Sequence, residues 1–374
     1  MNYISLTLKP TDACNMRCAH CYHAEDGFST EKLPIEVVQE TLRLASEEYS
    51  KINILIHGGE PTLMGVDYIR EIIEFEEKIE NCNNVAFTNK FQTNGLLLDK
   101  EWIDLFKSNK IVLGISFDGL HNDILRSDTQ RVFENIKLLK ENDVKFAILC
   151  VETSKTIDKL IENYEWFKKE NLSYKILPVF KAGFANEQEE LLIDEYKYVN
   201  EMINFYEYWL MDKDCNIRVN TVEEFLRLFI SDMKLTFSSS CIKHRLAVCS
   251  DGSIYPCGRP YNENFRLGFI GDKRKISEYF DTPEYRRLLD IYENRQRICS
   301  RECDYYLICG GGCISNSILD GSYSSINGKS CRQSKMLFER IEAVNKKIIW
   351  KKIKVKNPRA LKLLNRMNIE LRSW

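Results

Sequence analysis

The sequence predicts an α/β protein built on a parallel sheet, and three observations predict it. Short β-rich runs alternate with helical patterns through the first half of the chain, the hydrophobic period switches repeatedly between two and about 3.6, and the segments with unusual chemistry fall just after strands. The strands expected from a period of two are residues 3–9, 52–57, 85–92, 111–117, 145–151 and 172–179. Between them a period near 3.6 marks helices over 35–49, 66–80, 100–108, 129–142 and 155–170. Six βα-type strands in a row make a parallel sheet through right-handed crossovers, which fits either an open doubly wound sheet or an incomplete barrel. In both, ligands gather at the C-terminal ends of the strands.

From about residue 194 the pattern turns helical, through 208 and again over 221–233. After Cys241 the chain becomes rich in Cys and Gly, with a hairpin in which 246–250 and 253–256 flank Asp251-Gly252. A loop-rich part with few apolar residues needs staples. The division expected is 1–190, the sheet domain; 191–238, a helical bridge; 239–335, the cysteine-rich domain; and 336–374, a basic tail read as an amphipathic helix packed on the sheet domain.

The chain has 374 residues, 44% hydrophobic, enough for a full core. With 53 basic and 55 acidic residues its balance gives no reason to expect nucleic acid. Pro10 and Asp12 come too soon for a signal peptide, and no apolar run approaches a membrane span. The expected location is the cytoplasm, with no membrane partner, and there fourteen cysteines read as metal ligands or buried thiols. Cys82 and Cys150, lacking any motif, are expected as buried small hydrophobes.

Cys14, Cys18 and Cys21 form C-x3-C-x2-C directly after the first strand. Three cysteines on a [4Fe–4S] cluster leave one iron open to a small molecule. A zinc site would take a fourth ligand, and His20 and His23 stand beside the set. His57-Gly58-Gly59-Glu60-Pro61 follows the second strand, Gln92-Thr93-Asn94-Gly95 ends the third, and Ser116-Phe117-Asp118-Gly119 ends the fourth. Taken together, these motifs resemble the radical S-adenosylmethionine (SAM) superfamily. The resemblance implies a partial (βα)6 TIM-type barrel and a SAM-binding cluster on Cys14, Cys18 and Cys21. It also implies SAM contacts from Gly58, Gly59, Glu60, Asn94 and Ser116, with His20 at the position of an adenine contact.

Cys241, Gly252 and Cys257, then Cys299, Cys303, Cys309 and Cys313, then Cys331, resemble the seven-cysteine SPASM domain of radical SAM peptide-modifying enzymes. That resemblance assigns Cys299, Cys303, Cys309 and Cys331 to one auxiliary [4Fe–4S] cluster and Cys241, Cys257 and Cys313 to a second. Three [4Fe–4S] clusters result. C-x3-C stands at 299–303 where the family has C-x2-C, and the second cluster is either closed by Cys249 or left with a vacant iron. A pair of zinc knuckles in a binding module is the non-enzymatic alternative.

The resemblance implies a peptide or protein substrate and an external electron donor such as flavodoxin or ferredoxin. Anaerobic sulfatase-maturating enzymes, which convert Cys or Ser to formylglycine, usually carry an Asp base directly after the cysteine of G-x4-C; here Gly258 follows Cys257 and cannot accept a proton. The expected activity is therefore an oxidative cross-link in a ribosomally made peptide, a Cys thioether of the sactipeptide or ranthipeptide kind, with formylglycine formation as the alternative. Cys14 comes too early to leave room for an N-terminal leader-binding domain, so leader recognition is expected elsewhere.

Overall fold

The computed structural model describes residues 2–23, 29–229, 239–259, 263–323, 328–350 and 353–367. In chain order the elements are β1 (Tyr3–Leu8), α1 (Ile35–Glu48), β2 (Lys51–Ile56), α2 (Val66–Cys82), β3 (Ala86–Thr93), α3 (Lys100–Ser108), β4 (Val112–Ser116), α4 (Thr129–Glu141), β5 (Phe146–Glu152), α5 (Leu160–Lys169) and β6 (Tyr174–Pro178). There follow α6 (Phe184–Glu187), α7 (Glu195–Met211), α8 (Asn220–Arg227), β7 (Arg245–Val248), β8 (Ser253–Tyr255), β9 (Gly268–Phe269), α9 (Pro283–Glu302), α10 (Tyr306–Cys309), α11 (Ile314–Leu319), α12 (Lys329–Ile349) and α13 (Pro358–Arg366).

The first six strands form the expected parallel sheet, in the order β6-β5-β4-β3-β2-β1. Their alternation explains the packing: Ile4, Leu6 and Leu8 of β1 and Ile52, Ile54 and Ile56 of β2 are all buried. Helices start where side chains can take up free backbone N–H groups. Asp99 caps α3 through Oδ1, and Asp194 does the same for α7. The sheet is an unclosed barrel, as the family resemblance implied.

Two features differ from the sequence reading. The hairpin does not stand apart: β7 pairs in parallel with the outer edge of β1, and β8 and β9 add antiparallel strands, giving one nine-stranded sheet. Nor is the cysteine-rich part mainly loop, since α9 spans 20 residues and α12 spans 21. Thr282, whose Oγ1 accepts from Tyr285 N, and Pro283 in the first turn mark the start of α9. The expected helix over 221–233 is observed as Asn220–Arg227, and its last residues, 230–233, lie outside the described ones.

The bridge and the tail pack on each other. Helix α12 lies against α7, and Asn345 between them is wholly buried. Its Oδ1 accepts from Tyr206 Oη at 2.6 Å, and its Nδ2 donates to the carbonyls of Phe225 and Leu228 at 2.8 and 2.7 Å. In the tail, Asn357 caps α13 and donates to Trp209 O at 2.6 Å, burying Ala360 and Leu364. Part of the basic tail therefore packs as a helix on the bridge. Asn345→Ala strands two carbonyls and a hydroxyl, and is expected to cost about 2–4 kcal/mol, read from denaturant unfolding.

Among the described residues no helix is long and apolar enough to cross a membrane. Cys150 is buried as expected, whereas Cys82, at the last turn of α2, is exposed.

Candidate cofactor and substrate cavity

The C-terminal ends of the parallel strands surround a cavity of about 260 Å³. Cys14, Cys18, Cys21, His20, Gly58, Gly59, Glu60, Asn94 and Ser116 all line it, so the residues singled out in the first half of the sequence converge on one place.

The loop carrying the first cysteines runs directly over Gly58-Gly59. Gly59 N donates to Thr11 O at 2.9 Å and Glu60 N to Ala13 O at 2.8 Å. A Cβ on Gly58 would lie 2.6 Å from Thr11 O, and one on Gly59 2.2 Å from Ala13 O. Only glycine permits that approach, and Gly58 also has φ near +130°. Glu60 is buried, and four donors hold its carboxylate: Thr62 N, Thr62 Oγ1 and Thr93 Oγ1 on Oε1, and Asn94 N on Oε2. It thereby fixes the end of β3, and Asn94 Nδ2 reaches Asn15 Oδ1 at 2.7 Å and Cys14 Sγ at 3.9 Å. Ser116 Oγ accepts from Gln92 Nε2 at 2.9 Å.

The first three thiols are crowded enough to act on one another. Burial pushes Cys14 up to about 11, with Glu60, Cys18 and Cys21 adding to the shift, and burial likewise raises Cys18 and Cys21. Such a trio suits a cationic metal body that takes up the thiolate charge.

Arg126 was not foreseen in the sequence. It is paired with Asp118 at 2.7 Å, both side chains being buried, and it donates to Cys18 Sγ at 3.6 Å and to His20 Nε2 at 3.1 Å. Burial and this guanidinium hold His20 well below the ordinary imidazole range. With Nε2 accepting, His20 keeps the proton on Nδ1, an atom with no partner among the described residues. No local motif announces Arg126. Gln92, within the quoted Gln-Thr-Asn-Gly run, was legible only as strand-end sequence.

The C-terminal cysteines form two further groups. Cys241 feels Cys257 and Cys313, whereas Cys299, Cys303, Cys309 and Cys331 act on each other. The four of the second group line a small cavity of about 60 Å³, which Cys313 also touches. With the extra residue Cys299 and Cys303 stand one helical turn apart: α9 continues to its end with Cys303 N donating to Cys299 O at 3.1 Å. Arg295 Nε and Gln296 Nε2 then hold the carbonyls of Gly311 and Gly310, shaping the loop between Cys309 and Cys313.

Cys249 stands differently. The groups acting most strongly on it are Lys9, Asp12, Asp251 and Ser253, with no cysteine among them. The reason is local: Cys249 begins the tight turn, with Gly252 N donating to Cys249 O. Gly258 packs on β1, where an added Cβ would come 2.8 Å from Thr7 Cγ2.

An α/β half-barrel whose strand ends gather three cysteines and a Gly-Gly-Glu-Pro turn defines a radical SAM enzyme. The model of the Radical SAM superfamily matches residues 8–167. A cysteine-type anaerobic sulfatase-maturating enzyme of Clostridium perfringens is 30% identical over 339 residues, 83% of this chain and 88% of the relative. One of Clostridium novyi is 27% identical over 370 residues, 91% and 96% of the two chains. The chain belongs to the radical SAM superfamily and, within it, to the family of the anaerobic sulfatase-maturating enzymes. In fold it matches the solved structure of anSMEcpe with bound AdoMet and Cp18Cys peptide, with a TM-score of 0.76, 24% identity and 97% and 99% of the two chains covered. It also matches SuiB of Streptococcus suis, with 0.60, 19%, 88% and 77%. It is a radical SAM maturase acting on peptide or protein, and its cofactors are SAM and three [4Fe–4S] clusters.

Proposed function

We propose that this maturase forms an oxidative cross-link, a Cys thioether, in its peptide substrate. The observation that carries this reading is Gly258: no carboxylate follows Cys257, and the packing of Gly258 on Thr7 leaves no room for one. Formylglycine formation needs a base to take the proton from the Cys thiol or Ser hydroxyl as the carbon radical is oxidised, whereas a cross-link has no such requirement at this position. Formylglycine formation remains the second reading, favoured by similarity to the cysteine-type enzymes along 91% of the chain.

In this reading residues 1–190 hold SAM, with Cys14, Cys18 and Cys21 on its cluster, while 239–335 hold the auxiliary clusters. The cofactors, when bound, supply a 5′-deoxyadenosyl radical able to take hydrogen from an unactivated carbon, and acceptors for the surplus electron. The chain's own residues do the rest. Gly58, Gly59, Glu60, Asn94 and Ser116 orient SAM, His20 offers Nδ1–H to the adenine, and Arg126 donates to the Cys18 thiolate. Cys299, Cys303, Cys309 and Cys331 hold one auxiliary cluster and Cys241, Cys257 and Cys313 the other; Cys249, on which Lys9 and Asp12 act rather than a cysteine, is not counted among its ligands in this reading. An external one-electron carrier, a flavodoxin or ferredoxin, supplies the reducing electron.

Cys-containing peptides treated anaerobically with SAM and reductant provide the test. A product lighter by two hydrogens and resistant to thiol alkylation is expected. Replacement of the sulfur by an aldehyde oxygen would install the second reading instead. Cys249→Ala is expected to retain its iron, and a variant that loses about a third of it would show Cys249 to be a ligand.

A further inference from the structure

In the cavity wall, two residues beyond Cys257, lies a cation outside the SAM-contact motifs. Arg259 lines the cavity. Its guanidinium stacks 4.6 Å above the Phe180 ring, and Nη1 donates to Asn316 Oδ1. It acts on both Tyr22 and Cys241, which places it between the first cysteine set and an auxiliary set.

Resting on the peptide-maturase reading, we propose that Arg259 determines specificity by taking a carboxylate of the peptide, either an acidic side chain beside the modified residue or the C-terminal carboxylate. The other cavity arginine, Arg126, is neutralised by Asp118 at 2.7 Å. Among the described residues no carboxylate stands within ion-pair distance of Arg259, and Glu60, the acid in the cavity wall, is held by four donors elsewhere. A half-buried guanidinium with no carboxylate partner among the described residues favours an anionic guest.

The geometry suits a carboxylate. Stacking on Phe180 and the bond to Asn316 fix the guanidinium plane before substrate arrives, which lowers the ordering cost of binding. The remaining N–H groups form a planar fork that matches two carboxylate oxygens. If Arg259 served only to balance the charge of the clusters, it would be indifferent to charge on the peptide, and that difference is measurable.

The experiment uses the fully loaded enzyme with SAM and three sets of short synthetic Cys peptides. One set carries Asp at a single position flanking the cysteine, a second carries Asn there, and a third is an uncharged peptide as free acid and as C-terminal amide. Affinity is read by fluorescence anisotropy and KM is separated from kcat, with iron content and visible absorption confirming loading of each variant. Wild type is expected to hold one acid-bearing form about tenfold tighter than its neutral counterpart. Arg259→Gln should abolish that difference, and Arg259→Lys should keep part of it, having charge without the fork. A preference within the Asp set assigns a side chain, and one between acid and amide assigns the C-terminus. Peptides bound without charge preference in wild type, or with the same preference in Arg259→Gln, overturn the assignment while the maturase reading stands. Wild type that binds none of them overturns both.

Discussion

Replacing Cys14, Cys18 and Cys21 together by Ala is expected to abolish SAM cleavage and remove about a third of roughly twelve irons. The effect is complete because these three are the cysteines lining the cavity at the strand ends, and no other described cysteine lines it. It is also local. The three lie on the loop after β1, while the other two groups are carried by the β7–β8 hairpin region and by α9 to α12. Neighbours such as Asn94 and Arg126 donate to the removed sulfurs but keep Asn15 and Asp118 as partners, so no buried group is left stranded. Iron and sulfide analysis, with chromatography of 5′-deoxyadenosine, reads both halves. Continued 5′-deoxyadenosine formation in the triple variant would remove the assignment of this site.

Much of the framework was legible because its signals are local. All six parallel strands fall within about two residues of the expected positions, since alternation writes burial directly into the sequence. The first cavity was legible too: Gly58 and Gly59 are glycine because another loop crosses them, and a motif records that constraint. The rest depends on contacts between distant segments. Helix α9 buries only Tyr285, Leu288, Arg295 and Cys299 along its length, too few to raise a helical period, although Thr282-Pro283-Glu284 marks its start. The pairing of β7 with β1 joins residues some 240 positions apart, as Ser5 with Arg245 shows, and no periodicity encodes it. Arg126 and Arg259 belong to this class. Each is a single charged residue whose meaning comes from what the fold sets beside it.

Asp118→Asn is expected to destabilise the protein by about 3–5 kcal/mol, because it leaves the Arg126 guanidinium buried without its counter-charge. The two side chains are 2% and 8% exposed, so solvent cannot stand in for the lost carboxylate. Asp118 also accepts from Val151 N through Oδ1 at 2.7 Å, tying β4 to β5, and Asn can keep one of these two contacts as an acceptor but not both. The remaining neighbours of Arg126 are His20, held neutral, and the Cys18 sulfur, and neither replaces a carboxylate. Removing both charges by combining Asp118→Asn with Arg126→Leu should cost less than Asp118→Asn alone, since the penalty lies in the unpaired ion rather than in the missing pair. Denaturant midpoints of the two single variants and the double variant close the cycle. A double variant no more stable than Asp118→Asn would show that the pair matters through the geometry it gives β4 and β5, and not through charge.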